Sequence, residues 1–165
     1  MSPECYGDGS GSGEGVATIK FDGTCCMIKD GKFFRRFELK KGKVAPDDFC
    51  ASQEADPVTG DCPGWIPVDP KKSQDIWHVQ AYENDPHYPC IPDGTYELMG
   101  PKIQGNPENL DKHVLILHGD DEIESPRTFS GLKDFMKTYS HEGIVWHHQD
   151  GRMVKIKKKD FENDT

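Results

Sequence analysis

Lys20-Phe21-Asp22-Gly23-Thr24 sets a primary amine just ahead of an acidic side chain and a glycine. A lysine can attack a phosphorus only after losing its proton. Bringing an ordinary lysine from ~10.4 down to about 7–8 requires roughly 4 kcal/mol of differential stabilisation, which neighbouring cations can supply. A second set of candidates, Glu142, Lys155 and Lys157, stands near the other end of the chain. A carboxylate suits a divalent ion, and two amines suit phosphate oxygens. Together with a bound magnesium ion, those amines could also depress the pKa of Lys20. Each set has a plainer alternative. The first string alone is a turn, and the second is a solvated edge strand, since lysines commonly guard exposed sheet edges.

The placement of the second set depends on a hairpin. Asp150-Gly151 has the composition of a two-residue type I′ turn, which predicts paired strands over Glu142–His148 and Arg152–Lys159. With Gln149 opposite Arg152, Trp146 falls opposite Lys155, Ile144 opposite Lys157 and Glu142 opposite Lys159. Side chains alternate along a strand, so one face is expected to carry Glu142, Ile144, Trp146, Lys155 and Lys157. Ile144 would then lie against a nucleotide base. Val145, His147, Val154 and Ile156 are expected on the opposite, core-facing side.

Further strands are predicted at Val16–Lys20 and Thr24–Lys29, then across an Asp30-Gly31 hairpin turn at Lys32–Leu39. Residues 40–73 hold Gly and Pro at irregular intervals and are expected to form a long loop. Ile76–Tyr82, Gly94–Gly100 and His113–His118 complete the expected strands. One helix stands out, with Leu132, Phe135, Met136 and Tyr139 at the spacing of an apolar face and Ser130 as its N-cap. That stripe is core packing.

A chain of 165 residues fits one domain, and its 12 Pro and 17 Gly point to short elements joined by turns. The expectation is an α+β fold of antiparallel sheets with few helices, spanning residues 15–161 after a flexible Gly/Ser-rich segment at 1–14. Mean hydropathy is −0.76, and no stretch approaches the roughly 20 apolar residues of a membrane span. The first residues lack the basic start and apolar run of a secretory signal. A soluble, intracellular and cytoplasmic protein with no membrane partner is expected. The six cysteines include no Cys-x-x-Cys pair, so reduced, mostly buried thiols are expected rather than disulfides or structural zinc. The net charge of −9 argues against a polyanion partner, but seven Lys or Arg fall within Lys29–Lys43 and five within Arg152–Lys159. Polyanion binding depends on such clusters rather than on the sum.

Taken in order, Lys20-x-Asp22-Gly23, Arg36, Glu97 in Tyr-Glu-Leu-Met-Gly, Glu142-Gly143-Ile144-Val145 and Lys155-Ile156-Lys157 resemble the ordered motifs of the covalent nucleotidyltransferases. That superfamily holds DNA ligases, RNA ligases and mRNA capping enzymes. The stretches Gly15–Cys26, Pro63–Val68, Gly100–Pro107, His113–Gly119 and Glu142–His147 are similar to the small 5′-to-3′ RNA ligases of vertebrates, bacteria and large viruses. The resemblance implies a nucleotidyltransferase fold, ATP as substrate, a covalent lysyl-AMP on Lys20, and Mg2+ or Mn2+. RNA with 5′-phosphate and 3′-hydroxyl ends would be the partner of a monomeric enzyme. It further implies that Ile19 lies in the nucleotide site and that Arg36, or its neighbour Arg35, contacts ribose or RNA phosphate. Glu97 would contact the ribose hydroxyl, Glu142 would bind metal, and Lys155 and Lys157 would hold the α-phosphate. The chain ends eight residues after Lys157, and the expected absence of an OB-fold domain favours RNA ligation over a minimal DNA ligase or a capping-type guanylyltransferase. A non-catalytic nucleotide- or RNA-binding module with the same fold is the alternative from another class.

Overall fold

The computed structural model describes residues 15–164; the segment at 1–14, expected to be flexible, lies outside the described residues. In chain order the elements are β1 (Val16–Lys20), β2 (Thr24–Lys29), β3 (Lys32–Leu39), β4 (Cys50–Ala51), β5 (Cys62–Pro67), α1 (Ile76–Asn84), β6 (Gly94–Met99), β7 (Val114–Leu117), α2 (Phe129–Thr138), β8 (Gly143–His147) and β9 (Met153–Lys157). Every strand pairing among them is antiparallel, giving an α+β structure. Two compact units form among the described residues: one from residues 15–22 together with 119–164, the other from Gly23–His118.

The first unit is a three-stranded sheet, β1-β8-β9, covered by α2. Helix α2 starts at Thr128, whose hydroxyl accepts the Gly131 N–H at 3.1 Å. The cap therefore falls two residues before the expected Ser130. Leu132 and Met136, one turn apart, are fully buried with Ala17, Ile144, Trp146 and Phe161, and Val154 and Ile156 pack at the rim of that core.

The β8–β9 register corrects the sequence expectation by one residue. Ile144 lies opposite Ile156, Trp146 opposite Val154, Val145 opposite Lys155 and Gly143 opposite Lys157. The cause is the turn. His148 N–H donates to Arg152 O at 2.8 Å, leaving a three-residue loop of Gln149, Asp150 and Gly151. Gly151 takes φ +87°, the left-handed residue that closes such a loop as a bulge. A one-residue slip exchanges which side chains share a face. Ile144 and Trp146 thus join Val154 and Ile156 in the core, and Val145 and His147 share the opposite face with Lys155 and Lys157.

The second unit is a six-stranded sheet, β4-β5-β3-β2-β6-β7. Asp30-Gly31 closes β2 and β3 with two residues at positive φ, as the sequence predicts, pairing Lys29 with Lys32. One sheet face buries Cys26, Ile28, Tyr96 and Leu98 with Ala81 of α1, Ile91 and Ile103. Two expectations fail here. Ile76–Tyr82 is helix rather than strand: its β-branched and aromatic residues favour a strand locally, but Trp77, Ala81 and Tyr82 pack against this core at helical spacing. The expected loop at 40–73 contains β4 and β5, and β5 pairs with β3 from Cys62–Leu39 to Pro67–Phe34. Pro63, Gly64 and Pro67 hide that strand from a composition-based reading.

The five described cysteines are free thiols, but only Cys26 is buried, whereas Cys50 and Cys90 are exposed. Among the described residues, no helix is long and apolar enough to cross a membrane.

Because Ile144 is fully buried, Ile144→Ala should lower unfolding stability by about 2–5 kcal/mol in urea denaturation. A loss below about 1 kcal/mol would place Ile144 outside the core.

Candidate active site

Within the first unit, one row crosses three strands: Lys20 on β1, Gly143 on β8 and Lys157 on β9. The middle position has to lack a side chain, since a Cβ on Gly143 would fall 2.1 Å from the Ile156 carbonyl oxygen. Glu142 immediately precedes β8, where its carbonyl accepts the Lys158 N–H at 2.8 Å. Its carboxylate joins both amines: Oε2 bonds Lys20 Nζ, and Oε1 lies 3.3 Å from Lys157 Nζ. All three side chains are 18–29% exposed, which leaves them reachable by a ligand. Burial raises the Glu142 carboxyl, but hydrogen bonds and charge from Lys20 and Lys157 outweigh it and hold the group below its ordinary 4.5.

The next row on this face is Thr18, Val145 and Lys155, with Lys155 exposed. Thr18 donates its hydroxyl to Val145 O at 3.2 Å, so its oxygen is left to accept from His147 Nε2 at 3.1 Å. Phe21, next to Lys20, meets His141, next to Glu142, edge-on at 5.8 Å. His147, expected on the core-facing side, stands here instead, and Thr18 carried no predicted role. The signal lay in alternation, because Thr18 stands two residues before Lys20 on the same strand face.

Ile144, expected against a nucleotide base, is instead on the core face of the sheet. Ile19 lies directly opposite it, and its N–H donates to the Asp121 carbonyl at 3.0 Å.

Within the second unit, Glu97 of β6 lies opposite Cys25 of β2. Glu97 Oε1 accepts the Gly23 N–H at 3.2 Å, and Oε2 lies 2.6 Å from His118 Nε2. A side chain at Gly23 would meet the Leu98 carbonyl oxygen at 2.3 Å, so the motif's glycine allows its amide to reach the carboxylate. Burial pushes the Cys25 thiol up to about 11, with Glu97 adding to the shift and Arg36 opposing it. Arg36 stands on β3 opposite Trp65 of β5. Its guanidinium lies 4.9 Å from the Trp65 ring and donates to Ser52 Oγ at 3.2 Å. Arg35, one residue earlier, points to the opposite face and pairs with buried Asp75 at 2.9 Å.

No known family profile matches the chain. It is 27% identical to the protein named RNA ligase 1 of Pongo abelii over 86% of this chain and 65% of the relative. The RNA ligase 1 proteins of Rattus norvegicus (27%) and Danio rerio (29%) match with the same coverages. The chain therefore spans 65% of the length of the curated relatives it matches. The matched span of 215 positions also exceeds the 165 residues of this chain, so the relative carries inserted residues within it.

The depressed Glu142 pKa contributes stability above the unfolded value near 4.5, and that contribution is lost as pH falls through the folded value. Lys20→Met removes the strongest opposing partner, so the Glu142 titration, followed by carboxyl 13C NMR, should move up. An unmoved titration would show that the Lys20 contact does not set it.

Proposed function

We propose that this chain is the adenylylating domain of an ATP-dependent RNA ligase with a nucleotidyltransferase fold. The observation that carries this reading is the Lys20–Gly143–Lys157 row with Glu142 across both amines. Its support is the similarity of most of the chain to proteins named RNA ligase 1.

In this reading Lys20 Nζ attacks the α-phosphorus of ATP. A P–N bond forms, the bond to the bridging oxygen breaks, pyrophosphate departs, and the amine's proton goes to solvent. The adenylyl group then passes to the 5′-phosphate of an RNA end, and a 3′-hydroxyl attacks that phosphate and expels AMP. Lys157, on the same row as Lys20, holds the α-phosphate oxygens, and Lys155 meets charge one row further on. In the second unit, Glu97 accepts from the ribose and Arg36 faces ribose or RNA phosphate.

Glu142 would hold Mg2+ or Mn2+. Among the described residues no group of three His, Cys, Asp or Glu could form a cage. One carboxylate completed by phosphate oxygens is the usual way such an ion arrives with a nucleotide. When bound, the ion neutralises phosphate charge. Glu142 engaged in this way would also free Lys20 from the ion pair between them.

The test is incubation with α-labelled ATP and magnesium, followed by a denaturing gel. The folded wild-type chain should take the label, Lys20→Ala should take none, and Lys157→Ala should label about 100-fold or more slowly. Labelling by GTP alone would move the assignment to a capping-type enzyme. A wild-type chain that binds ATP without labelling would be a non-catalytic module. With matched nicked oligonucleotides, all-RNA should be sealed faster than all-DNA, because 2′-hydroxyl contacts separate the two. Equal or faster sealing of DNA would make the enzyme a minimal DNA ligase.

A further inference from the structure

His118 closes the predicted strand His113–His118 without an assigned role, yet it makes the shortest contact to the Glu97 carboxylate, at 2.6 Å. It follows directly on β7, where its N–H donates to Thr95 O at 3.1 Å and extends the ladder with β6 by one position. Thr95 and Glu97 stand two apart on β6 and so share a face. The imidazole spans both: Nδ1 lies 2.9 Å from Thr95 Oγ1 and Nε2 lies 2.6 Å from Glu97 Oε2.

The chemistry of the partners assigns the protons. An ionised carboxylate only accepts, so Nε2 carries the hydrogen it donates to Glu97. Thr95 can both donate and accept, so its hydroxyl suits Nδ1 in either state of the ring. With both nitrogens engaged, His118 is poorly placed to take a proton from a substrate. It is well placed to fix a carboxylate. Gly23 holds the other oxygen at 3.2 Å, so Glu97 is clamped from two sides. Of the roughly four lone-pair positions on a carboxylate, two are then spent and two remain. That is the acceptor capacity a vicinal diol calls for. The pair is partly open to solvent, with Glu97 15% and His118 33% exposed.

We propose that His118 is a positioning residue that locks Glu97 as a double acceptor for the hydroxyls of a nucleoside ribose, and thereby sets the preference for ribonucleotides over deoxyribonucleotides at this site. The inference rests on the adenylylation reading. In this reading His118 acts through Glu97 and not on the phosphate. Its loss should therefore weaken binding in the ground and transition states alike, which raises the half-saturating concentration without slowing the bound reaction.

The experiment measures self-labelling of the full chain by ATP, 2′-deoxy-ATP and 3′-deoxy-ATP over a range of concentrations, for wild type, His118→Ala and His118→Gln. His118→Ala should raise the half-saturating ATP concentration about 10-fold or more, leave the maximal labelling rate within about 2-fold, and shrink the preference for ATP over both deoxy analogues. His118→Gln keeps an N–H in reach of Glu97 and should recover most of that preference. A thermal melt confirms that each variant is folded. Unchanged half-saturation and unchanged discrimination in folded His118→Ala would overturn the proposal, and so would loss of maximal rate with discrimination intact. Absence of label on wild type would instead remove the adenylylation reading, and this inference with it.

Discussion

Burial of Ile144 and Trp146 against Leu132 and Met136 is the constraint on which the first unit depends. A strand with one buried face has no freedom over where its other residues point. Once these two side chains enter the core, Gly143, Val145 and His147 face the other way. Antiparallel pairing then brings Lys20 and Thr18 from β1, and Lys155 and Lys157 from β9, to that same side. The apolar residues thus place the charged ones. Burying each large apolar side chain contributes about 1.5–3 kcal/mol, more than an exposed lysine pairing would supply.

Electrostatics works within that frame. Two amines brought onto one row repel, and the Glu142 carboxylate between them offsets the repulsion at the cost of partial burial. The second unit shows a different arrangement. Glu97 is held by a backbone amide and an imidazole, donors that leave acceptor capacity unspent. Arg35 and Arg36 are adjacent in sequence yet belong to different physics. One neutralises a buried aspartate, and the other sets its guanidinium over the Trp65 ring on the opposite face.

Much of the local structure was legible in the sequence. Asp30-Gly31 announced its two-residue turn, the apolar stripe of Leu132 and Met136 announced α2, and Val154 and Ile156 belong to the core side as expected. The failures have particular causes. Ile76–Tyr82 carries strand-favouring residues, and only the packing of Trp77, Ala81 and Tyr82 on the second core makes it a helix. Strand β5 was masked by Pro63, Gly64 and Pro67. His118 and Thr18 lie in predicted strands, but which partner each side chain meets depends on pairing with strands distant in the chain.

The sequence by itself determined which chemical groups the chain has, the order in which they occur, and the turns and stripes that depend on near neighbours. It placed Lys20, Glu142, Lys155 and Lys157 on two segments far apart in the chain, each with the glycine that its backbone needs. The tertiary structure alone decided which of them share a face. That choice turned on one residue of hairpin register: the dipeptide Asp150-Gly151 suits a two-residue turn and a three-residue bulged loop alike. The two-residue register would put Ile144 and Trp146 on one face with Lys155 and Lys157, so either the two apolar side chains would be exposed or the two lysines buried, and both are costly. The distant core therefore selected the loop, and with it the side of the sheet on which the candidate active site stands.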